Sequence, residues 1–215
     1  KRLSLYIHIP FCAQKCRYCD FYSAAATQEE KLQYTELLCR EIRSWGRMLR
    51  EQYSVYTVFI GGGTPTCLSP ECLERIGAAV RESFDCDALT EFTTEANPGT
   101  VTAEHLAAWQ QMGINRVSLG LQSAQNRELQ MLGRIHSYEE FLATYQMIRQ
   151  SGNFQINIDV MAAIPEQTLE SYQDTLEKIV SLNPEHISSY SLIVESGTVF
   201  GDWEENGTLK RVDED

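Results

Sequence analysis

Extended apolar segments alternate with helix-patterned segments along the whole chain. Leu3 to Ile9 is the first expected strand. Residues 29–49 then carry Leu38, Ile42, Trp45 and Leu49 at spacings of four, three and four, one face of a helix. Val55 to Ile60 reads as a second strand, ended by Gly61-Gly62-Gly63. Ser69-Pro70 opens the next helix, a capping residue followed by proline in the first turn. Leu89 to Thr94 is a third strand, and Thr102 caps a helix over 103–112. Arg116 to Leu121 makes a fourth strand, followed by a short helix near 125–132. A longer helix is opened by the capping box of Ser137 and Glu140 and closed by Gly152 as its C′ residue. Phe154 to Met161, the helix Leu169 to Leu182 with its stop at Asn183-Pro184, and the strand His186 to Ile193 complete the pattern. Beyond Glu195 the chain is polar and lacks a strong period.

Six strand–helix units imply an α/β fold with a parallel sheet and right-handed crossovers. A full eightfold barrel needs about 250 residues. The pattern therefore predicts a partial TIM-like barrel, (β/α)6, with an open doubly wound sheet as the alternative. Either topology puts chemistry at the carboxyl ends of the strands. The expected core domain is 1–195. Residues 196–215 read as the start of a linker or of a C-terminal region that is otherwise absent.

Charge narrows the partners. Eighteen basic against 30 acidic residues give −12, which argues against a nucleic-acid or anionic-membrane surface. No run of about 18 apolar residues suggests a transmembrane helix, and no charged-then-apolar leader is visible. The expected location is cytoplasmic. Seven cysteines, an odd number, do not suit a disulfide framework in a chain of this kind. Cys39, Cys67, Cys72 and Cys86 read as scattered buried thiols, with Cys67 and Cys72 close enough together to be noted.

The other three cysteines are clustered directly after the first strand. Cys12, Cys16 and Cys19 share the spacing C-x-x-x-C-x-x-C, with no obvious fourth ligand. Three soft thiolates can hold three irons of a [4Fe–4S] cluster and leave the fourth iron open. A zinc site would want a fourth protein ligand, and inert thiols are the third reading. The triple glycine lets backbone approach a ligand closely, and no Gly-Lys-Ser/Thr follows to make it a phosphate loop. By itself it reads as a tight turn. Glu95 alone would read as a capping or solvated acid, and Arg134 with Asp159 as an ion pair across the barrel mouth. His105, His136 and His186 have no partners at metal spacing and read as packing or surface residues.

Together these residues resemble the radical S-adenosylmethionine (SAM) enzymes. The resemblance runs from Tyr6-Ile-His-Ile-Pro-Phe-Cys12 and Cys19-Asp-Phe21 through Gly61-Gly-Gly-Thr64-Pro-Thr66 and Thr94-Glu95-Ala-Asn97-Pro98. It continues in Ser118-Leu-Gly-Leu-Gln122-Ser123, Leu132-Gly-Arg134 and Asn157-Ile-Asp159, ending near Ser191-Leu-Ile-Val-Glu195. Within that group the chain is similar to the oxygen-independent coproporphyrinogen III oxidases and their haem-chaperone relatives. The resemblance implies a [4Fe–4S] cluster on Cys12, Cys16 and Cys19, with SAM chelating the open iron and yielding a 5′-deoxyadenosyl radical on reduction. It further implies SAM contacts from Tyr6, Tyr18, Gly62, Gly63, Thr64, Glu95, Gln122, Arg134 and Asp159, and in some members a second SAM. Haem or porphyrin, an electron donor such as flavodoxin or ferredoxin, and a haemoprotein acceptor are the partners implied for a full-length protein.

Two departures from the family pattern stand out. The decarboxylating oxidases carry a further cysteine where this chain has Phe21, so Cys-Asp-Phe resembles the haem-chaperone branch. The family also has glycine where this chain has Ala163 and Glu166, which is expected to alter the adenosine side of the pocket. A porphyrinogen oxidase and a non-catalytic metal or cluster-binding module are the alternative functions.

Overall fold

The computed structural model describes residues 1–210. Six strands form one parallel sheet: β1 (Arg2–Ile9), β2 (Ser54–Gly62), β3 (Glu91–Ala96), β4 (Arg116–Gln122), β5 (Gln155–Ala162) and β6 (His186–Ser191). Their spatial order is β1-β2-β3-β4-β5-β6, every neighbour parallel. A doubly wound sheet reverses direction at a switch point, and none occurs here. Each crossover advances one strand in the same sense, so right-handed connections put the helices on one face. The result is the open, partial barrel expected from the pattern, with β1 and β6 as its two edges.

The helices are α1 (Gln28–Leu49), α2 (Pro70–Ser83), α3 (Ala103–Met112), α4 (Asn126–Leu132), α5 (Tyr138–Ser151), α6 (Leu169–Ser181) and α7 (Val199–Glu205). Their starts are chemically marked. Thr27 with Glu30, Thr102 with His105, Ser137 with Glu140 and Thr168 with Ser171 each form a reciprocal capping box, and Ser69 caps α2 from just ahead of Pro70.

Strand parity separates two environments. Ile7, Ile9, Val58, Ile60, Phe92, Val117, Leu119, Leu121, Ile156, Ile158 and Val160 are buried in the main core that the helices cover. Residues of the opposite parity line the inner hollow: Ser118, Gly120 and Gln122 from β4, Asn157, Asp159 and Met161 from β5, Ser188 and Tyr190 from β6. An ordinary eightfold barrel fills its interior with branched apolar side chains. Here the interior is polar, so it is a place for a ligand.

Several details depart from the sequence reading. The glycine segment does not end β2; Gly61 and Gly62 continue it, in register with His8 and Ile9 of β1. Gly152 has φ of 168°, extended backbone rather than a left-handed cap. The stretch after Glu195 carries α7, whose Phe200 is buried against Leu132, Met161 and Ile164. The acidic residues Val212-Asp-Glu-Asp lie outside the described residues.

Ala163 and Glu166 correct another expectation. Neither lines the large cavity. Their φ values are 59° and 65°, in the left-handed region. Glycine suits these positions for the backbone's sake, and the departure costs strain instead of reshaping the pocket. Left-handed strain costs about 1–2 kcal/mol for an L-residue, while glycine's freer unfolded chain takes back about 0.4–1 kcal/mol. Ala163→Gly is therefore expected to stabilise the chain by about 0.5–1 kcal/mol, read as a higher urea midpoint at unchanged slope.

Candidate cofactor site

The cysteine loop leaves β1 at Pro10 and is held on both sides by backbone. Gly63 N donates to Ile9 O at 2.8 Å and Thr64 N to Phe11 O at 2.7 Å, extending the β1–β2 pairing into the loop. Cys12 N donates to Ala24 O at 3.1 Å, and Ala24 N to Pro10 O at 3.0 Å, closing the loop's base. On the other flank, Arg17 N donates to Leu132 O at 3.0 Å, and the Arg17 guanidinium donates to the Gln130 and Met131 carbonyls, each at 3.1 Å. A cation on the last carbonyls of α4 is favourable both as hydrogen bond and against the helix dipole. Gln14 adds a bond to Gly133 O at 3.2 Å. From the C-terminal side, Phe200 N donates to Arg17 O at 3.0 Å, and Trp203 lies under the Arg17 guanidinium at 5.3 Å.

So held, Cys12, Cys16 and Cys19 line one cavity of about 650 Å³ at the carboxyl ends of the strands. That volume is in the range of small-molecule sites, about 300–1,000 Å³. Among the described residues, no three His, Cys, Asp or Glu side chains converge closely enough for a single metal ion. All seven cysteines are free. The Cys19 thiol is pushed up by burial. Cys67, read from sequence as a scattered thiol, lies near Cys12 and Ala13, and burial pushes its thiol up.

Of the other expected residues, Tyr18, Gly62, Gly63, Thr64, Glu95, Gln122, Arg134 and Asp159 all line the same cavity. Tyr6 does not. It is 60% exposed, stacks on Phe59 at 6.0 Å and shares a hydrogen bond with His8 Nδ1 at 3.0 Å. Arg134 and Asp159 do not pair with each other. Arg134 Nη2 donates to Asn97 Oδ1 at 2.6 Å and Gly120 O at 2.7 Å, and Nη1 lies 3.6 Å from Cys16 Sγ. Among the described residues its buried Nε has no partner. Asp159 instead accepts from Asn157 Nδ2 at 2.7 Å and Ser118 Oγ at 3.1 Å.

Asn97 is a residue the sequence reading quoted without giving it a role. Its Nδ2 donates to Thr64 Oγ1 at 2.7 Å, and Thr64 Oγ1 lies 3.4 Å from Cys12 Sγ. One amide thus connects the glycine segment, the cysteine loop and Arg134. Tyr190 was also missed; its hydroxyl donates to Gln122 Oε1 at 2.9 Å. Gln122 has φ of 75°, a non-glycine residue in the left-handed region at the rim of a ligand cavity.

The cavity's charges are arranged in zones. Arg134, a buried cation with no carboxylate paired to it among the described residues, stands beside Cys16. Glu95 and Asp159 are both pushed above the usual carboxylate range by burial, and Gly62 N donates to Glu95 Oε2 at 2.9 Å. His136, behind Arg134, is held neutral by burial, its value down to about 3, so it titrates far below neutrality.

A partial parallel barrel with three cysteines in the loop after its first strand is the architecture of a radical SAM domain, and the chain belongs to the radical SAM superfamily, which it matches over residues 6–179. It is 38% identical to the heme chaperone HemW of Lactococcus lactis over 99% of this chain and 55% of that one. It is 40% identical to the HemW proteins of Haemophilus influenzae and Escherichia coli, covering 92% and 93% of this chain and 53% of each relative. Among solved structures, the E. coli coproporphyrinogen III oxidase HemN, a radical SAM enzyme, superposes with TM-score 0.86 at 28% identity, covering 96% of this chain and 48% of that one. The chain spans about half the length of the relatives it matches.

Membership implies a [4Fe–4S] cluster and SAM. The residues fit both. Three thiols ring one end of the cavity, and the unpartnered charge and orphaned Nε of Arg134 lie beside them, where an anionic group would relieve them. The two raised carboxylates face the same space and would suit a cationic ligand.

Proposed function

We propose that this chain is the cluster- and SAM-binding core of a haem-handling protein of the haem-chaperone type. Cys12, Cys16 and Cys19 would hold three irons, leaving the fourth to SAM. When bound, the cluster supplies one-electron reduction of the SAM sulfonium. The chain's own part is to bind, orient and exclude water. Gly62, Gly63 and Thr64 offer backbone at close approach, Glu95 and Asp159 face the cationic parts of SAM, and Gln122, Tyr18 and Arg134 close the remaining walls. Tyr6, on the inner face of β1 but outside the cavity lining, would reach SAM only by swinging from Phe59 and His8 toward the cavity.

The observation that carries the haem-chaperone reading is the higher identity to the HemW proteins, about two-fifths, over nearly the whole chain. Phe21 supports it: this side chain, 69% exposed, sits at the cavity mouth where the oxidase pattern has a thiol. In the full-length protein the reading includes haem, an electron donor such as flavodoxin or ferredoxin, and a haemoprotein acceptor in the cytoplasm. The test is anaerobic reconstitution of the full-length protein, then SAM and dithionite, measuring 5′-deoxyadenosine, haem binding and coproporphyrinogen consumption together. Haem binding without porphyrinogen consumption is the expected result. Consumption of porphyrinogen would favour the oxidase reading; no SAM effect on the cluster's paramagnetic signal would overturn both.

A pH dependence follows from the raised carboxylates. SAM, cationic at its sulfonium, prefers Glu95 and Asp159 ionised. Because their values are raised in the folded chain, protonation begins above the ordinary carboxylate values of about 4. SAM affinity is therefore expected to fall as pH drops through that raised range. Glu95→Gln should bind SAM more weakly at neutral pH and lose part of the slope. Calorimetric titration across pH 5 to 8 checks it, and an unchanged slope in the variant would remove Glu95 from the site.

A further inference from the structure

Asn97 directly follows β3 and lines the cavity with Cys12 and Cys16, but it is not among the residues assigned to SAM. Its backbone is pinned, the carbonyl accepting from Thr100 N at 3.2 Å and Thr100 Oγ1 at 2.6 Å. Its side chain has one way to turn. Arg134 can only donate, so Asn97 Oδ1 faces the guanidinium at 2.6 Å and Nδ2 faces Thr64 Oγ1 at 2.7 Å. Thr64 Oγ1 is therefore an acceptor toward Asn97 and keeps its own proton to give.

Both partners of this amide face cysteines of the loop. Thr64 Oγ1 lies 3.4 Å from Cys12 Sγ, and Arg134 Nη1 lies 3.6 Å from Cys16 Sγ. An iron-bound cysteine is a thiolate, so its sulfur accepts and cannot donate. Cys67 also lies near Thr64. It stands outside the cysteine loop, and a neutral thiol is a weak acceptor beside a thiolate. With iron bound, the hydroxyl proton belongs to Cys12. Hydrogen bonds to ligand sulfurs set cluster potential, since a donor favours the more negative, reduced state.

We propose that Asn97 is a positioning residue: turned by Arg134, it directs the Thr64 hydroxyl onto the Cys12 sulfur and so raises the reduction potential of the cluster. This role rests on Cys12, Cys16 and Cys19 being the iron ligands, as in the proposed function. Asn97 acts through its partners, making no hydrogen bond of its own to a cysteine among the described residues.

The test is a redox titration of the reconstituted full-length protein without SAM, following the paramagnetic signal of the reduced cluster. Thr64→Val keeps the backbone and the shape but removes the hydroxyl. Its potential should fall by about 59 mV, a tenfold change in the one-electron equilibrium. Thr64→Ser keeps the hydroxyl and should restore most of that. Asn97→Asp replaces the amide with two acceptor oxygens, so the Thr64 proton turns to them and away from Cys12. The potential should fall in the otherwise wild-type protein, and by distinctly less in Thr64→Val, where only the added charge acts. Equal falls in both backgrounds overturn the route through Thr64, as does an unchanged potential in Thr64→Val. Should valine load no cluster, Thr64→Ala gives the same comparison. Failure of both beside a loaded Thr64→Ser makes the hydroxyl a requirement for loading and overturns the tuning role. A Cys12→Ala protein with a wild-type cluster overturns the ligand assignment, and this inference with it.

Discussion

Gly63→Ala is expected to lose the cluster and to lower stability by about 2–4 kcal/mol, toward the upper end of overpacking costs because backbone must move. A Cβ on Gly63 would stand 2.6 Å from Phe11 O and 2.9 Å from both Ile9 O and Phe11 N. Those atoms are the backbone of the chain entering the cysteine loop, so no flexible side chain can move aside. The two bonds from Gly63 N and Thr64 N hold β1 to this segment at 2.8 and 2.7 Å. Relief requires that pairing to open, and the opening displaces Cys12. At about 2–4 °C per kcal/mol for a chain of this size, the melting temperature should fall by roughly 5–15 °C. Iron and sulfide after anaerobic reconstitution should drop by more than about half. Gly99→Ala is the control: it has φ of 77°, but its Cβ would meet nothing within 4 Å. It should cost about 1 kcal/mol and keep the cluster. A Gly63→Ala protein with wild-type iron content would show that the close approach is not what sets the loop.

Arg134→Met is expected to separate stability from binding. The guanidinium is buried, faces Cys16 and has an unpartnered Nε, with no carboxylate paired to it. A buried cation without compensation costs several kcal/mol in the ligand-free chain. Methionine removes that cost. It also strands Asn97 Oδ1 and Gly120 O, a loss of about 1–3 kcal/mol. These changes oppose each other, so the ligand-free melting temperature should move by only a few degrees. With cluster and SAM present the cation has anions to meet, and truncating one partner of a buried charge pair costs about 2–5 kcal/mol. SAM affinity should therefore fall by about 100-fold or more. A large fall in ligand-free stability with unchanged SAM affinity would make Arg134 a structural residue.

How much of this was legible in the sequence depends on the range of the interaction. The six strands, the helix starts at Ser69, Thr102 and Ser137 and the cysteine loop were legible because each rests on neighbours within a few positions. The residues at β-strand ends were legible as a set because parallel topology brings all carboxyl ends together. The missing parts are contacts between distant segments. Asn97 joins Thr64 to Arg134 only after three strands have been placed side by side. Cys67 came near Cys12 through the short turn after the glycine segment, which spacing alone does not show. Tyr6 stands apart for a related reason: it precedes the cysteines closely, yet its place on an edge strand leaves it beside Phe59 and His8. Ala163 and Glu166 looked like changes of pocket shape, and their meaning became conformational only when φ was known. The helix α7 escaped because seven residues are too few to show a period, and its burial rests on Phe200, with Trp203 beside it, reaching Leu132, Met161 and Ile164.

The clasp between α7 and Arg17 bears on the order of assembly. The cysteines leave a ribosome before Phe200 and Trp203, which fasten the loop through Arg17. The same holds for Leu132 and Gly133, which grip it from α4. Until those segments have emerged and docked, the loop is held only at its base, by the bonds from Gly63, Thr64 and Ala24. The full set of bonds around the cysteines therefore forms only once α4 and α7 are in place.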